Sequence, residues 1–126
     1  NNYAFCVLGL TLELAVFAPD GVQRAASYIT EHYAEPLQLA SLASLASLSP
    51  FYFSRQFAKE IGMTPHQYLI ATRLSAARFL LLTTRLSVKE IAFQTGFSDE
   101  NAFCICFKKH EGVTPTGYRK QQASTQ

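Results

Sequence analysis

Residues 96–120 read GFSDENAFCICFKKHEGVTPTGYRK, and residues 48–69 read LSPFYFSRQFAKEIGMTPHQYL. The two share one grammar: an apolar plug, a capped helix with two phenylalanines four apart, a glycine, a Thr-Pro pair and a tyrosine. Phe53, Phe57, Lys59, Gly62, Thr64, Pro65 and Tyr68 recur at an offset of 50 as Phe103, Phe107, Lys109, Gly112, Thr114, Pro115 and Tyr118. Upstream of them, Leu37–Ser49 resembles Leu86–Ser98 at an offset of 49, so the second copy has one extra residue in its turn. Self-similarity at a fixed spacing marks one supersecondary unit used twice.

The physics of that unit is a helix-turn-helix. The first helix of each copy ends at Ser47 or Gly96, a turn position that often needs φ > 0, which glycine supplies freely and serine does not. Leu48 or Phe97 plugs the angle between the helices. The second helix packs through phenylalanines at i and i+4, which share one face, and the opposite face is left free to enter a major groove.

Caps and periodicity place the remaining helices. Tyr3–Phe17 reads as an apolar helix stopped by Pro19; Asp20, with Gln23 in the capping-box position, starts another that ends at Pro36. Val22, Ala25, Ala26 and Ile29 form the apolar face of that second helix. Leu39–Ala46 follows, and its setting LASLASLASL (residues 39–48) reads as a tightly packing apolar stripe. Ser49 as N-cap and Pro50 at the first helical position begin the next helix, and Thr64, Pro65 and Gln67 begin one running to Leu82. Ser87 and Glu90 form a capping box, Ser98 caps the helix that ends at Gly112, and a short helix follows Thr114-Pro115. The fold class is therefore all-α: two tandem helix-turn-helix, homeodomain-like subdomains joined by a long linker helix.

Hydrophobic residues make up 48% and charged residues 16% of the 126, which supports a packed core and argues against disorder. The formal charge of +2 is small, but it is unevenly spread. Residues 1–36 carry one basic against four acidic residues, a net of −3, while residues 37–126 carry ten against five, a net of +5. The repeat is thus the basic part of the chain, as phosphate contact requires. Cys6, Cys104 and Cys106 read as reduced thiols of a cytoplasmic protein, and His32, His66 and His110 show no ligand spacing. No metal and no cofactor is expected. The apolar run at residues 3–18 contains Glu13 and is too short for a membrane span, and no basic segment precedes it as in a signal peptide. Because the chain starts at Asn1 without a Met, it reads as part of a longer protein.

The two halves, and GFSDENAFCICFKKHEGVTPTGYRK above all, resemble the DNA-binding domain of the AraC/XylS family of bacterial transcription regulators. VQRAASYITEHYAEPLQLASLA (residues 22–43) is similar to the segment that leads into that domain. The resemblance covers residues 20–120 and implies two units, here 37–62 and 86–112, joined by a linker at 65–82, with residues 121–126 as a tail. An 18-residue linker spans about 27 Å at roughly 1.5 Å per residue. That suits two recognition helices spaced by about one DNA turn, roughly 34 Å. Residues 1–19 are expected to be a remnant of an N-terminal sensor or dimerisation domain or its linker, with an exposed apolar face. The partners implied are double-stranded DNA, RNA polymerase, and a second copy through the missing N-terminal domain.

Within this frame the outward positions of the two recognition helices are the candidate base contacts: Phe51, Tyr52, Ser54 and Arg55 in the first, and Glu100, Asn101, Cys104 and Ile105 in the second. Arg55 suits guanine O6 and N7, Asn101 adenine, and Glu100 the cytosine amino group. Phe51 and Tyr52 suit a thymine methyl or a sugar, unless Tyr52 packs back on the domain. Ile105 stands where the family usually carries arginine and Cys104 where it carries a small polar residue, so the second helix departs from the family pattern. Ser49 and Ser98, with their helix-start amides, and Lys59, Lys108, Lys109, Arg119 and Lys120 are the candidate phosphate contacts. Arg73, Arg78 and Arg85 are divided between salt bridges and phosphate. A protein-interaction module built on the exposed aromatics would show no salt-dependent DNA affinity. An enzyme would need a Ser-His-Asp set, a partnered carboxylate pair or a phosphate loop, and the sequence offers none of these.

Overall fold

The computed structural model describes residues 21–124. Among them every regular element is a helix: α1 Gly21–His32, α2 Leu39–Leu45, α3 Pro50–Ile61, α4 Pro65–Thr83, α5 Val88–Gln94, α6 Glu100–Glu111 and α7 Pro115–Ser124. The helix expected over residues 3–17 and the cap expected at Asp20 lie outside the described residues. The chain divides into two compact units. The described part of the first is residues 21–28 and 38–65; that of the second is residues 29–37 and 66–124. The second unit thus takes in the end of α1 and the segment after it, although both precede the first helix-turn-helix in the chain.

In the first unit α1 buries Val22, Ala25 and Ala26, α2 buries Leu42 and Ala43, and α3 buries Phe53 and Phe57. The phenylalanine rings meet edge to face at 5.6 Å between centroids, an arrangement favoured by their quadrupoles. α1 starts hard against the end of α2: a Cβ added at Gly21 would lie 2.8 Å from the Ala46 backbone. Arg24 Nη2 donates to the Leu45 carbonyl at 3.1 Å, capping that helix end.

The apolar stripe expected of LASLASLASL is narrower than the sequence suggested. Leu42 is 4% exposed, but Leu39 and Leu45 on either side are 42% and 39% exposed. Residues three apart on a helix advance by about 300°, so three leucines at that spacing fan out over roughly 120°. The surface beneath is covered instead by Leu42, Ala43 and Ala46.

Both turns are built alike. Ser47 has φ 59°, the one positive φ outside glycine among the described residues, and its counterpart Gly96 has φ 97°. In each turn the plug residue closes a reverse hydrogen bond onto the first helix, Leu48 N–H to Ala43 O and Phe97 N–H to Ala92 O, both at 3.0 Å. This satisfies carbonyls that the helix end leaves unpaired. Ser47 accepts the left-handed conformation where glycine would adopt it without strain.

The second unit has an aromatic core. Leu74, Ala77, Leu81, Ile91, Ala92, Phe97, Phe103 and Phe107 form one buried cluster, with Tyr118 of α7 packed against it. Phe97, Phe103, Phe107 and Tyr118 follow one another at centroid spacings of 5.2, 5.7 and 5.5 Å. The Thr95 side chain is fully buried but not orphaned, since its hydroxyl donates to the Ile91 carbonyl at 2.8 Å. Ser87 and Glu90 make the expected capping box at the start of α5: Glu90 N–H donates to Ser87 Oγ at 3.1 Å and Ser87 N–H to Glu90 Oε1 at 3.0 Å. The hydrogen bond from the Ser87 backbone holds the Glu90 carboxyl below its ordinary pKa.

Candidate nucleic-acid interface

α3 is set in place by its caps. Ser49 is extended at φ −68° and ψ 154°, its Oγ accepts from Tyr52 N–H at 3.3 Å, and Pro50 takes the first helical position. With Phe53 and Phe57 fully buried on one side, the other side faces water. Phe51 is 72% and Tyr52 51% exposed. The alternative in which Tyr52 folds back under the domain therefore does not describe it. Arg55 is exposed, and its guanidinium carbon lies 5.5 Å from the Phe51 ring centroid. This i, i+4 cation–π pair holds a bidentate donor beside an apolar plate. Ser54 is half-buried at the flank, and Lys59 is exposed in the last turn.

α6 matches α3 with one correction to its start. The N-cap is Asp99, not Ser98: Asp99 is extended at φ −156° and ψ 170°, and its Oδ1 accepts from Ala102 N–H at 2.7 Å. The extra residue of the second turn moves the capping position one place along, so Asp99 stands where Ser49 stands in the first copy. Ser98 is exposed before the helix. Glu100 and Asn101 are exposed in the first turn, and Ile105, in the place of Arg55, is 63% exposed. Lys108, Lys109 and His110 make the last turn basic. Cys104 and Cys106 are free thiols, both half-buried against the core cluster. Burial pushes both thiols up in pKa, and for Cys104 the Glu100 carboxylate adds to the effect, which leaves them weak nucleophiles.

Three arginines turn out to be committed within the second unit. Arg73 Nε donates to the Tyr33 carbonyl at 2.7 Å and its Nη2 to the Glu35 carbonyl at 3.0 Å. Its guanidinium also lies 5.8 Å from the Phe97 ring centroid. Arg73 thus ties the segment after α1 to the turn of the second helix-turn-helix. Arg78 pairs with Glu111 at 2.6 Å. Arg119, placed among the phosphate contacts from its sequence position, donates to the Leu81 carbonyl at 3.0 Å and the Thr84 carbonyl at 3.2 Å. Its Nε and Nη2 are thereby occupied by carbonyls at and just past the C-terminal end of α4 rather than open to a phosphate. Arg85 and Lys120 are exposed. The carbonyl partners of Arg73 and Arg119 lie 35 to 40 residues away, and no charge pattern in the chain announces them. The sequence places Phe51 and Arg55 on one outward side but does not announce their stacking, which their i, i+4 spacing allows. No three His, Cys, Asp or Glu side chains converge as metal ligands among the described residues, and none of the described helices is long and apolar enough to cross a membrane.

A family model described as a helix-turn-helix domain matches residues 42–121. The crystal structure of an AraC-type DNA-binding-domain regulator from Chromobacterium violaceum superposes with a TM-score of 0.75 at 30% identity, over 82% of this chain and 92% of that one. The chain belongs to the AraC family of transcriptional regulators. Its helix-turn-helix region corresponds to the DNA-binding domain of that family. The DNA-binding domain of the global transcriptional factor AdpA, solved in complex with a target DNA, superposes with a TM-score of 0.81 at 31% identity, over 85% of this chain and 96% of that one. Among curated proteins, the helix-turn-helix-type transcriptional regulator YijO of Escherichia coli is 36% identical over 118 residues, covering 94% of this chain and 42% of YijO. The chain spans well under half the length of the curated relatives it matches, 42% of YijO and 28% of a regulator from Haemophilus influenzae.

Proposed function

We propose that this AraC-family chain binds a specific duplex with α3 and α6 as recognition helices in adjacent major grooves, and that the whole protein regulates transcription at bacterial promoters. The observation that carries this is the exposed Phe51–Arg55 pair on the side of α3 opposite its buried phenylalanines, on a helix whose architecture α6 repeats. An exposed, stacked guanidinium matches the two acceptors on the major-groove edge of guanine. Base contacts are assigned to Phe51, Tyr52, Ser54 and Arg55 in the first unit and to Glu100, Asn101, Cys104 and Ile105 in the second. Phosphate contacts are assigned to Lys59, Lys108, Lys109 and Lys120, with the amides at Ser49 and Ser98. The DNA-binding domain is taken as residues 20–120, with residues 1–19 leading from an N-terminal part that senses an effector or dimerises. RNA polymerase is the partner such a regulator would engage, in the cytoplasm, and the chain itself performs no catalysis.

The test is selection from a randomised duplex pool followed by Arg55→Ala. The substitution is expected to weaken the selected duplex by about 1–3 kcal/mol and to relax the preference at one base pair. Unchanged affinity together with unchanged preference would remove Arg55 from the interface.

A further inference from the structure

The outward face of α6 carries an apolar side chain where α3 carries a guanidinium. Ile105 is 63% exposed, two residues from the fully buried Phe103 and two from the fully buried Phe107. Asn101, one turn earlier, and Lys108, nearly one turn later, share its side of the helix and are exposed. Cys104 beside it is half-buried against the core cluster, so the exposed apolar group between Asn101 and Lys108 is the branched hydrocarbon of Ile105. Isoleucine has neither donor nor acceptor, and the apolar group that a major groove presents is the C5 methyl of thymine. A protein partner would want a broader apolar patch than one side chain set between an amide and lysines. The basic last turn of α6 instead complements phosphates flanking such a contact.

We propose that Ile105 selects thymine through its methyl group, with Asn101 taking the adenine of a neighbouring A·T pair. The half of the site read by α6 then depends on a thymine methyl, while the half read by α3 depends on guanine through Arg55. The inference rests on the DNA-binding reading above and deepens it.

Replacing thymine by deoxyuridine deletes the methyl and nothing else. A duplex is selected from a randomised pool with the 126-residue chain, and each thymine is then replaced in turn. Affinities are measured for the unaltered protein, Ile105→Ala and Ile105→Arg. At one thymine, deoxyuridine is expected to weaken the unaltered protein about fourfold, the scale of burying a single methyl. Ile105→Ala should bind the two duplexes alike, and Ile105→Arg should move the preference at that pair towards guanine. If no deoxyuridine replacement separates the unaltered protein from Ile105→Ala, Ile105 does not select thymine, although DNA binding stands. If selection enriches no sequence at all, the DNA-binding reading falls and this inference with it.

Discussion

Phe103→Ala is expected to cost the second unit about 3–5 kcal/mol, the range for emptying a buried phenylalanine site. Phe103 is fully buried and stands between Phe97 and Phe107 in the aromatic series that ties the turn plug to α6 and on to Tyr118. Its loss leaves a cavity bounded by rings that are themselves held by other contacts, so little collapse can fill it. Urea unfolding followed by far-ultraviolet circular dichroism reads the loss, with Ile105→Ala as the comparison two residues away. That exposed site should change stability by no more than about 0.5 kcal/mol. A Phe103→Ala cost under about 1 kcal/mol, or equal costs at the two sites, would mean that the faces of α6 have been assigned wrongly.

Gly96→Ala is expected to be nearly as damaging, for a different reason. Gly96 sits at φ 97°, where a residue with a Cβ is disfavoured by about 1–2 kcal/mol. The added Cβ would also stand 2.8 Å from the Tyr33 carbonyl oxygen, 2.9 Å from Arg73 Nε and 3.0 Å from the Ala34 Cα. Two of those neighbours are backbone, and the third is held by its own hydrogen bonds, so overpacking adds about 1–3 kcal/mol. Gly62→Ala isolates the conformational part: φ is 95° but nothing lies within 4 Å of an added Cβ. Its cost should stay near 1–2 kcal/mol. If the two alanine variants unfold at the same urea concentration, the close approach of the segment after α1 to the second turn is wrong.

The sequence made the repeated parts of this fold legible and hid the parts that occur once. Phe53, Phe57, Phe103 and Phe107 declare their buried face by spacing, and the pairing of Ser47 with Gly96 pointed to a left-handed turn residue that the backbone then shows. The two misreadings have local causes. LASLASLASL looked like a stripe because its period is near that of a helix, yet the difference between 3 and 3.6 turns Leu39 and Leu45 away from the core. The cap was placed at Ser98 by its likeness to Ser49, although the inserted residue hands the role to Asp99. Arg73 and Arg119 were out of reach altogether, because each answers backbone carbonyls, in the segment after α1 for Arg73 and at the end of α4 for Arg119, and a carbonyl has no signature in a sequence. At the candidate site Phe51, Tyr52, Arg55, Glu100, Asn101 and Ile105 are exposed, whereas Ser54 and Cys104 are half-buried, because each follows a buried phenylalanine and sits at the edge of the packed side.

The outward face is duplicated in architecture and unequal in chemistry, with a stacked arginine in one unit and an isoleucine in the other. On the proposed reading both helices grip one duplex while its phosphates are neutralised by the basic residues of 37–126. The most direct measurement is equilibrium binding of the selected duplex as a function of salt, beside a shuffled duplex of the same composition. The affinity should fall with a log–log slope of about −3 to −4, near −0.9 for each phosphate met by Lys59, Lys108, Lys109 and Lys120. The selected duplex should keep its advantage over the shuffled one as salt rises, because base contacts release no counterions. Binding indifferent to salt, or equal for the two duplexes, would contradict the account.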